Sequence, residues 1–250
     1  MKDFVKSLLR RCGYDVVRYV ENIRYPLDFT EEEKEICNVV APFTMTSIER
    51  IVALIRATKY IAENDIQGDI VECGVWRGGS MMVCAHVLQR LGNTTHTLYL
   101  FDTFEGMSVP TVKDKQFDGI PAEQLLSMAG KGTGIWCHAD KHDVMANLLS
   151  TGYPADNVRF VEGKIEETIP QTLPERICLL RLDTDWYEST KHALIHLYPR
   201  LVGHGVLIID DYGHWRGARE ATDAYFQQSK TKPFLNRIDY TGRLLIKTEG

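Results

Sequence analysis

The sequence lacks any apolar run approaching the roughly 20 residues needed to cross a bilayer, which excludes a membrane-spanning helix. It has no CxxC pair. Its six cysteines, Cys12, Cys37, Cys73, Cys84, Cys137 and Cys178, lie far apart, a spacing that suits neither a zinc ribbon nor a small disulfide scaffold. Basic charge is not in excess either: 29 Lys+Arg against 34 Asp+Glu leave −5. Without clustered Lys and Arg, no nucleic-acid partner is expected, and no membrane partner. The N-terminus interleaves charge with Phe4, Val5, Leu8 and Leu9, so the apolar core of a secretory signal is missing. Cys73 and Cys178 fall in apolar strand-like runs, where a thiol packs as a small hydrophobe. A reducing cytoplasm is the expected compartment. Internal repeats and low-complexity tracts are absent.

What remains is an ordinary globular composition, 44% hydrophobic and 25% charged over 250 residues, enough for one large α/β unit or two small ones. Residues 1–43 read as a helical extension broken near Pro26 and Asp28, with EEEKE at 31–35 as a helix start. The main domain is expected over 44–250. Ser47 is placed to cap a helix whose apolar residues Ile48, Ile51, Val52, Ile55 and Tyr60 repeat at helical period. From Gly68 onward strands and helices alternate. Strands are predicted at 68–74, 97–102, 157–163, 177–183 and 205–211, and two more runs flank a turn at Asp239–Gly242. Helices are predicted at 78–92, 165–173, 187–201 and 216–229. Another opens at Asp140, with Asp143 completing a capping box, and ends near Gly152. Such alternation implies a doubly wound, mostly parallel sheet, the terminal hairpin adding an antiparallel edge. Residues 106–136 fit no element and read as a lid or substrate loop.

The first strand runs into Glu72-Cys73-Gly74-Val75-Trp76-Arg77-Gly78-Gly79-Ser80. A pyrophosphate turn would want GxGxxG; here an acid stands at the first position. An acid with glycines following better suits a ligand with an ammonium group beside an adenosine, as in S-adenosylmethionine. Gly74 would let the backbone approach that ligand, and Ser80 could donate to its carboxylate. A plain tight turn would also explain the glycines, but the second strand ends in Asp102, placed to accept ribose hydroxyls.

The fourth strand ends Leu182-Asp183-Thr184-Asp185 and the fifth Ile209-Asp210-Asp211-Tyr212-Gly213. Parallel neighbours would gather Asp183, Asp210 and Asp211 at one rim, where they repel unless a cation or protons neutralise them. An oxygen-only set selects a hard ion, Mg²⁺ before Ca²⁺ or Mn²⁺. Helix capping is the competing explanation, although tandem Asp210-Asp211 exceeds what one cap needs. Beside an activated methyl donor, such an ion would bind a substrate hydroxyl and aim it at the sulfonium methyl.

With these residues in view, VECGVWRGGS, LYLFDTFEGM, FVEGKIEETIP, LDTDWYEST and LIIDDYG, in that order, resemble the macrocin O-methyltransferase (TylF-type) family. The resemblance spans about residues 44 to 247. It implies the class I methyltransferase fold, a seven-stranded sheet with its last strand antiparallel, and Mg²⁺-dependent methylation of sugar hydroxyls on natural products. It also implies that Glu72, Cys73, Gly74, Val75, Trp76 and Ser80 meet the methionine part of the cofactor, Asp102 the ribose, and Thr103, Phe104, Glu105 and Gly106 the adenosine. Met45 and Thr46 would close over the cofactor, Asp140 would lie near the adenine, and Asp183, Asp210 and Asp211 would hold the metal. Some members place a histidine base just after the LDxD acids, where this chain has Trp186. That leaves Asp183, Asp185 and His214 as candidate bases, and Trp186 as either a floor for a sugar ring or core.

Two other classes compete. An NAD(P)-dependent oxidoreductase would use a similar sheet, but Glu72 and the lack of a Tyr-x-x-x-Lys pair disfavour it. A non-catalytic adenosyl- or metal-binding module would have to keep a costly carboxylate trio. His192 and His196, spaced i, i+4, read as a helix-face pair without a third ligand. The amphipathic N-terminal segment suits the arm of a homodimer or self-packing equally.

Overall fold

The computed structural model describes residues 25–129, 134–229 and 232–248; the expected helical pieces before residue 25 lie outside them. The first helix among the described residues is α1 (Glu31–Val40), started by a capping box in which Thr30 Oγ1 accepts from Glu33 N and Glu33 Oε2 accepts from Thr30 N. After α2 (Ile48–Glu63), capped by Ser47, come β1 (Asp69–Cys73), α3 (Gly79–Arg90) and β2 (Leu98–Asp102). The middle of the chain holds α4 (Ala122–Met128), α5 (Lys141–Leu149), β3 (Val158–Glu162) and α6 (Ile165–Thr168). Then follow β4 (Ile177–Leu182), α7 (Tyr187–Leu197), β5 (Leu201–Ile209), α8 (Arg216–Gln227), β6 (Asn236–Arg237) and β7 (Arg243–Ile246).

The sheet order is β3-β2-β1-β4-β5-β7-β6, parallel from β3 to β5, with β7 antiparallel to both of its neighbours. This is the expected seven-stranded, doubly wound arrangement. Alternate residues of the central strands feed two cores. Ile70, Leu98, Leu100, Leu179 and Ile208 pack under α1, α2, α3 and α5. Val71, Phe101, Leu180 and Ile209 pack under α6, α7 and α8. Helices on both faces explain why every residue of β4 is buried.

Three sequence expectations change. The helix at 165–173 stops at Thr168, because Pro170 has no N–H to continue it. The helix at 187–201 ends at Leu197 in a 3₁₀ turn through Pro199. Asp140 does cap α5, accepting from His142 N at 2.7 Å, but Asp143 closes no box; it pairs with Arg77 at 2.8 and 2.9 Å. No disulfide joins the five described cysteines. Among the described residues no single helix is long and apolar enough to cross a membrane.

Candidate active site

Parallel pairing brings the carboxyl ends of β2, β1, β4 and β5 to one rim. Asp183 N donates to Cys73 O at 2.8 Å, Asp210 N to Leu182 O at 2.9 Å and Gly74 N to Phe101 O at 2.9 Å. The turn after β1 and the acid loop after β4 therefore share a wall. Gly74 has φ +82°, and a Cβ there would sit 1.9 Å from the Asp183 carbonyl oxygen, so only glycine fits. A cavity of about 350 Å³ opens at this rim.

Of the residues expected near a cofactor, Met45, Thr46, Gly74, Val75, Trp76, Ser80, Asp102, Thr103 and Gly106 line the cavity; Glu72, Cys73, Phe104, Glu105 and Asp140 do not. Cys73 faces the α7 core and its thiol is pushed up by burial. Phe104 is buried against Phe160, Glu105 faces solvent and Asp140 is an exposed cap. Asp102 shapes the turn: its Oδ2 accepts from Val75 N at 2.6 Å and Trp76 N at 3.2 Å, its Oδ1 from Phe104 N at 2.8 Å. Burial raises its pKa while those donors oppose the rise.

Glu72 lies behind the lining residues, its carboxylate paired with Arg181, a residue the sequence pattern does not single out. Arg181 Nη1 lies 2.5 Å from Glu72 Oε1 and 2.7 Å from Asp183 Oδ2, and Nη2 lies 2.6 Å from Asp210 Oδ1. The side chain is 3% exposed. Its only signal in the sequence is a lone arginine in the otherwise apolar strand ICLLRL. A second arginine, Arg50 from α2, reaches Asp210 Oδ2 and donates from Nε to Asp239 Oδ2 at 3.0 Å. Burial holds Glu72 up at about 8; Arg181 opposes the rise and the Asp183 charge adds to it.

Asp183, Asp210 and Asp211 each present an oxygen within 4.8 Å of the others. Burial raises Asp211 well above the usual carboxylate range, reinforced by Asp185 and Asp183. Asp185, at φ +59°, is raised to about 8 by burial and then by Asp183. The cluster thus has more buried acids than its two arginines neutralise. The donor set, three carboxylates and no sulfur or imidazole, fits a hard divalent cation.

Both ring nitrogens of His214 are engaged. Gln116 Nε2 sits 3.2 Å from Nε2 and Tyr240 Oη 3.0 Å from Nδ1. With the amide donating, Nδ1–H donates to the phenol. Burial, then Arg50, lowers its pKa. Trp186 lines the cavity yet is 3% exposed, its indole donating to Ser108 O at 3.0 Å and packing edge-on to Trp215 at 4.9 Å.

The segment read as a lid is tied down where it is described. Asp114, fully buried, accepts from Tyr187 N at 2.7 Å and from Thr111 N and Oγ1 at 2.6 and 2.8 Å, capping α7 from outside. Ala122 and Leu126 of α4 pack with Trp186, Trp215 and Ala218 in a third small core. The helix-face histidines His192 and His196 lie with ring centroids 4.3 Å apart and planes tilted by 43°, and His192 bonds the Ile169 carbonyl at 2.9 Å.

The family profile for macrocin O-methyltransferase (TylF) matches residues 24–247. A curated relative, 8-demethyl-8-(2,3-dimethoxy-alpha-L-rhamnosyl)-tetracenomycin-C 4'-O-methyltransferase of Streptomyces olivaceus, is 34% identical over 199 residues, 80% of this chain and 73% of the relative. Mycinamicin III 3''-O-methyltransferase of Micromonospora griseorubida is 28% identical over 242 residues, 96% and 93%. Among solved structures, the O-methyltransferase NovP aligns with a TM-score of 0.72 at 27% identity, covering 83% of each chain. The calicheamicin methyltransferase CalS11 aligns at 0.62 over 93% and 99%; at 16% identity it speaks for the fold alone.

Proposed function

The chain belongs to the macrocin O-methyltransferase (TylF) family and is therefore an O-methyltransferase; from this premise we propose that it methylates a sugar hydroxyl of a glycosylated natural product. In this reading S-adenosylmethionine is the donor, and Asp183, Asp210 and Asp211 hold Mg²⁺. The observation that carries it is the wall shared by Gly74 and Asp183, which sets a cofactor turn directly against the acid cluster. The relatives' names support the acceptor class, since a rhamnosyl tetracenomycin and a mycinamicin are glycosylated natural products.

Transfer forms a C–O bond to the acceptor and breaks the S–CH₃ bond, releasing S-adenosylhomocysteine and one proton. The bound ion supplies Lewis-acid polarisation of the acceptor oxygen. Asp102 and the backbone it organises would seat the adenosine, with Ser80, Thr46 and Met45 around the methionine part. Asp183 is our choice of base: its side chain is 32% exposed at the cavity, whereas Asp185, raised to about 8, keeps its proton at neutral pH and His214 has both nitrogens engaged. Trp186 and Trp215 would stiffen the acceptor side.

Calorimetric titration of metal-free protein with S-adenosylhomocysteine, with and without Mg²⁺, tests the reading, together with turnover on glycosylated acceptors. Saturable binding, with Asp210→Asn losing Mg²⁺-dependent turnover but nearly keeping cofactor affinity in the absence of Mg²⁺, is the expected result. Turnover indifferent to chelation would remove the metal.

A further inference from the structure

Asp210 has two carboxylate oxygens and each meets a guanidinium: Oδ1 that of Arg181, Oδ2 that of Arg50. The two arginines are not equivalent. Arg181 is enclosed and also holds Glu72 and Asp183, so its withdrawal would strand further buried acids. Arg50 lines the cavity and has a second acid in reach, Asp239, whose Oδ2 accepts from Arg50 Nε at 3.0 Å and from Ser47 Oγ at 2.8 Å. Asp239 Oδ1 is fixed separately by Thr241 N and Gly242 N at 2.9 and 2.6 Å. A resting place for the guanidinium is therefore already built.

We infer that Arg50 is a resident cation of the acid cluster: a divalent ion reaching Asp210 exchanges with it, and the guanidinium falls back on Asp239. The inference rests on the metal reading above. It also links ion to cofactor. Arg50 lies on the first turn of α2, directly after Met45 and Thr46, and Thr46 Oγ1 sits 3.4 and 3.5 Å from the Asp210 oxygens. Ion exchange at Asp210 thus reaches the segment that faces the cofactor, and by linkage each ligand changes the other's affinity by the same factor.

The test is Mn²⁺ binding to the full-length protein, followed by the paramagnetic signal of free ion, with and without S-adenosylhomocysteine. Removing the competing charge in Arg50→Gln should tighten Mn²⁺ binding by about tenfold or more, the order set by one like charge at close range. Asp239→Asn keeps the Oδ1 bonds but takes away the fallback, so Mn²⁺ binding should weaken. Fixed charges alone would give the same two signs, so the deciding readout is the double variant. In the Arg50→Gln background, Asp239→Asn should leave Mn²⁺ affinity unchanged under exchange; weaker binding there means the pair acts only as fixed charges and overturns the inference. Unchanged or weaker binding in Arg50→Gln, or shifts of one sign, would overturn the inference. If the unaltered protein binds S-adenosylhomocysteine but no Mn²⁺, the metal reading fails and takes the inference with it. If it binds Mn²⁺ and the variants match it, the inference alone fails. Should Arg50→Gln not fold, Arg50→Met takes its place in the same cycle, and unchanged Mn²⁺ binding in Asp239→Asn overturns exchange.

Discussion

Replacing Arg181 with methionine removes the one cation that touches Glu72, Asp183 and Asp210 together, at 2.5, 2.7 and 2.6 Å. Taking away one partner of a buried pair costs about 3–5 kcal/mol. Three acids do not triple that cost, because each can take up a proton instead. Glu72 already ionises only at about 8 with the arginine present. At this chain length each kcal/mol moves the melting point by about 2–4 °C, so the variant should melt roughly 6–20 °C lower near pH 8. The pH dependence has a fixed sign. In the variant the folded acids hold protons that the unfolded chain has lost, so stability falls as pH rises, and the deficit is smaller near pH 5.5. Urea unfolding of chelator-treated protein at both pH values measures this. A loss below about 1 kcal/mol near pH 8, or equal losses at both, would refute the reasoning. Arg181→Met combined with Glu72→Met should recover part of the loss.

Glu72→Gln should flatten the fall in stability of the unaltered protein between the ordinary carboxylate value of 4.5 and about 8, since across that window the unfolded chain has given up the proton that the folded acid still holds; titration of the urea midpoint against pH reads it. Gly74→Ala combines a left-handed backbone, costing about 1–2 kcal/mol, with a Cβ 1.9 Å from the Asp183 carbonyl. Turnover should fall by about 10² or more as the acid loop is displaced, and single-turnover kinetics at saturating cofactor would show it. Asp102→Ala frees three turn N–H groups and should weaken S-adenosylhomocysteine binding by about 1–3 kcal/mol, checked by calorimetry.

The strands of the sheet are legible because each parallel strand is a short apolar run closed by Gly or Asp, and the observed strands fall within the predicted runs, β5 alone starting earlier, at Leu201. Parallel order then dictated that Asp102, Gly74, Asp183 and Asp210 share a rim. Local patterns failed where tertiary partners decide. Asp143 looks like half of a capping box, yet Arg77, distant in sequence, takes its carboxylate. The stretch 106–136 hides α4, seven residues whose stability comes from Trp186 and Trp215 rather than from its own periodicity. Arg50 and Arg181 do not stand out in the sequence because a helix-period arginine reads as solvent-facing and a single strand arginine reads as an edge. Their acid partners lie up to 189 residues away. Glu72 reads as facing the cofactor for the same reason: its partner Arg181 is 109 residues downstream.

The bond from Ser47 Oγ to Asp239 Oδ2 joins positions 192 residues apart, and Tyr240 and Thr241 from the same turn line the cavity. During synthesis the strands β1 to β4 can pair while the far side of the cavity has not yet left the ribosome. Closing so long a loop is slow, and a chain stalled before its last hairpin would carry most of the sheet with one wall of the cavity missing. Full ligand affinity is thus expected only once the closing hairpin has joined the sheet and supplied the second wall.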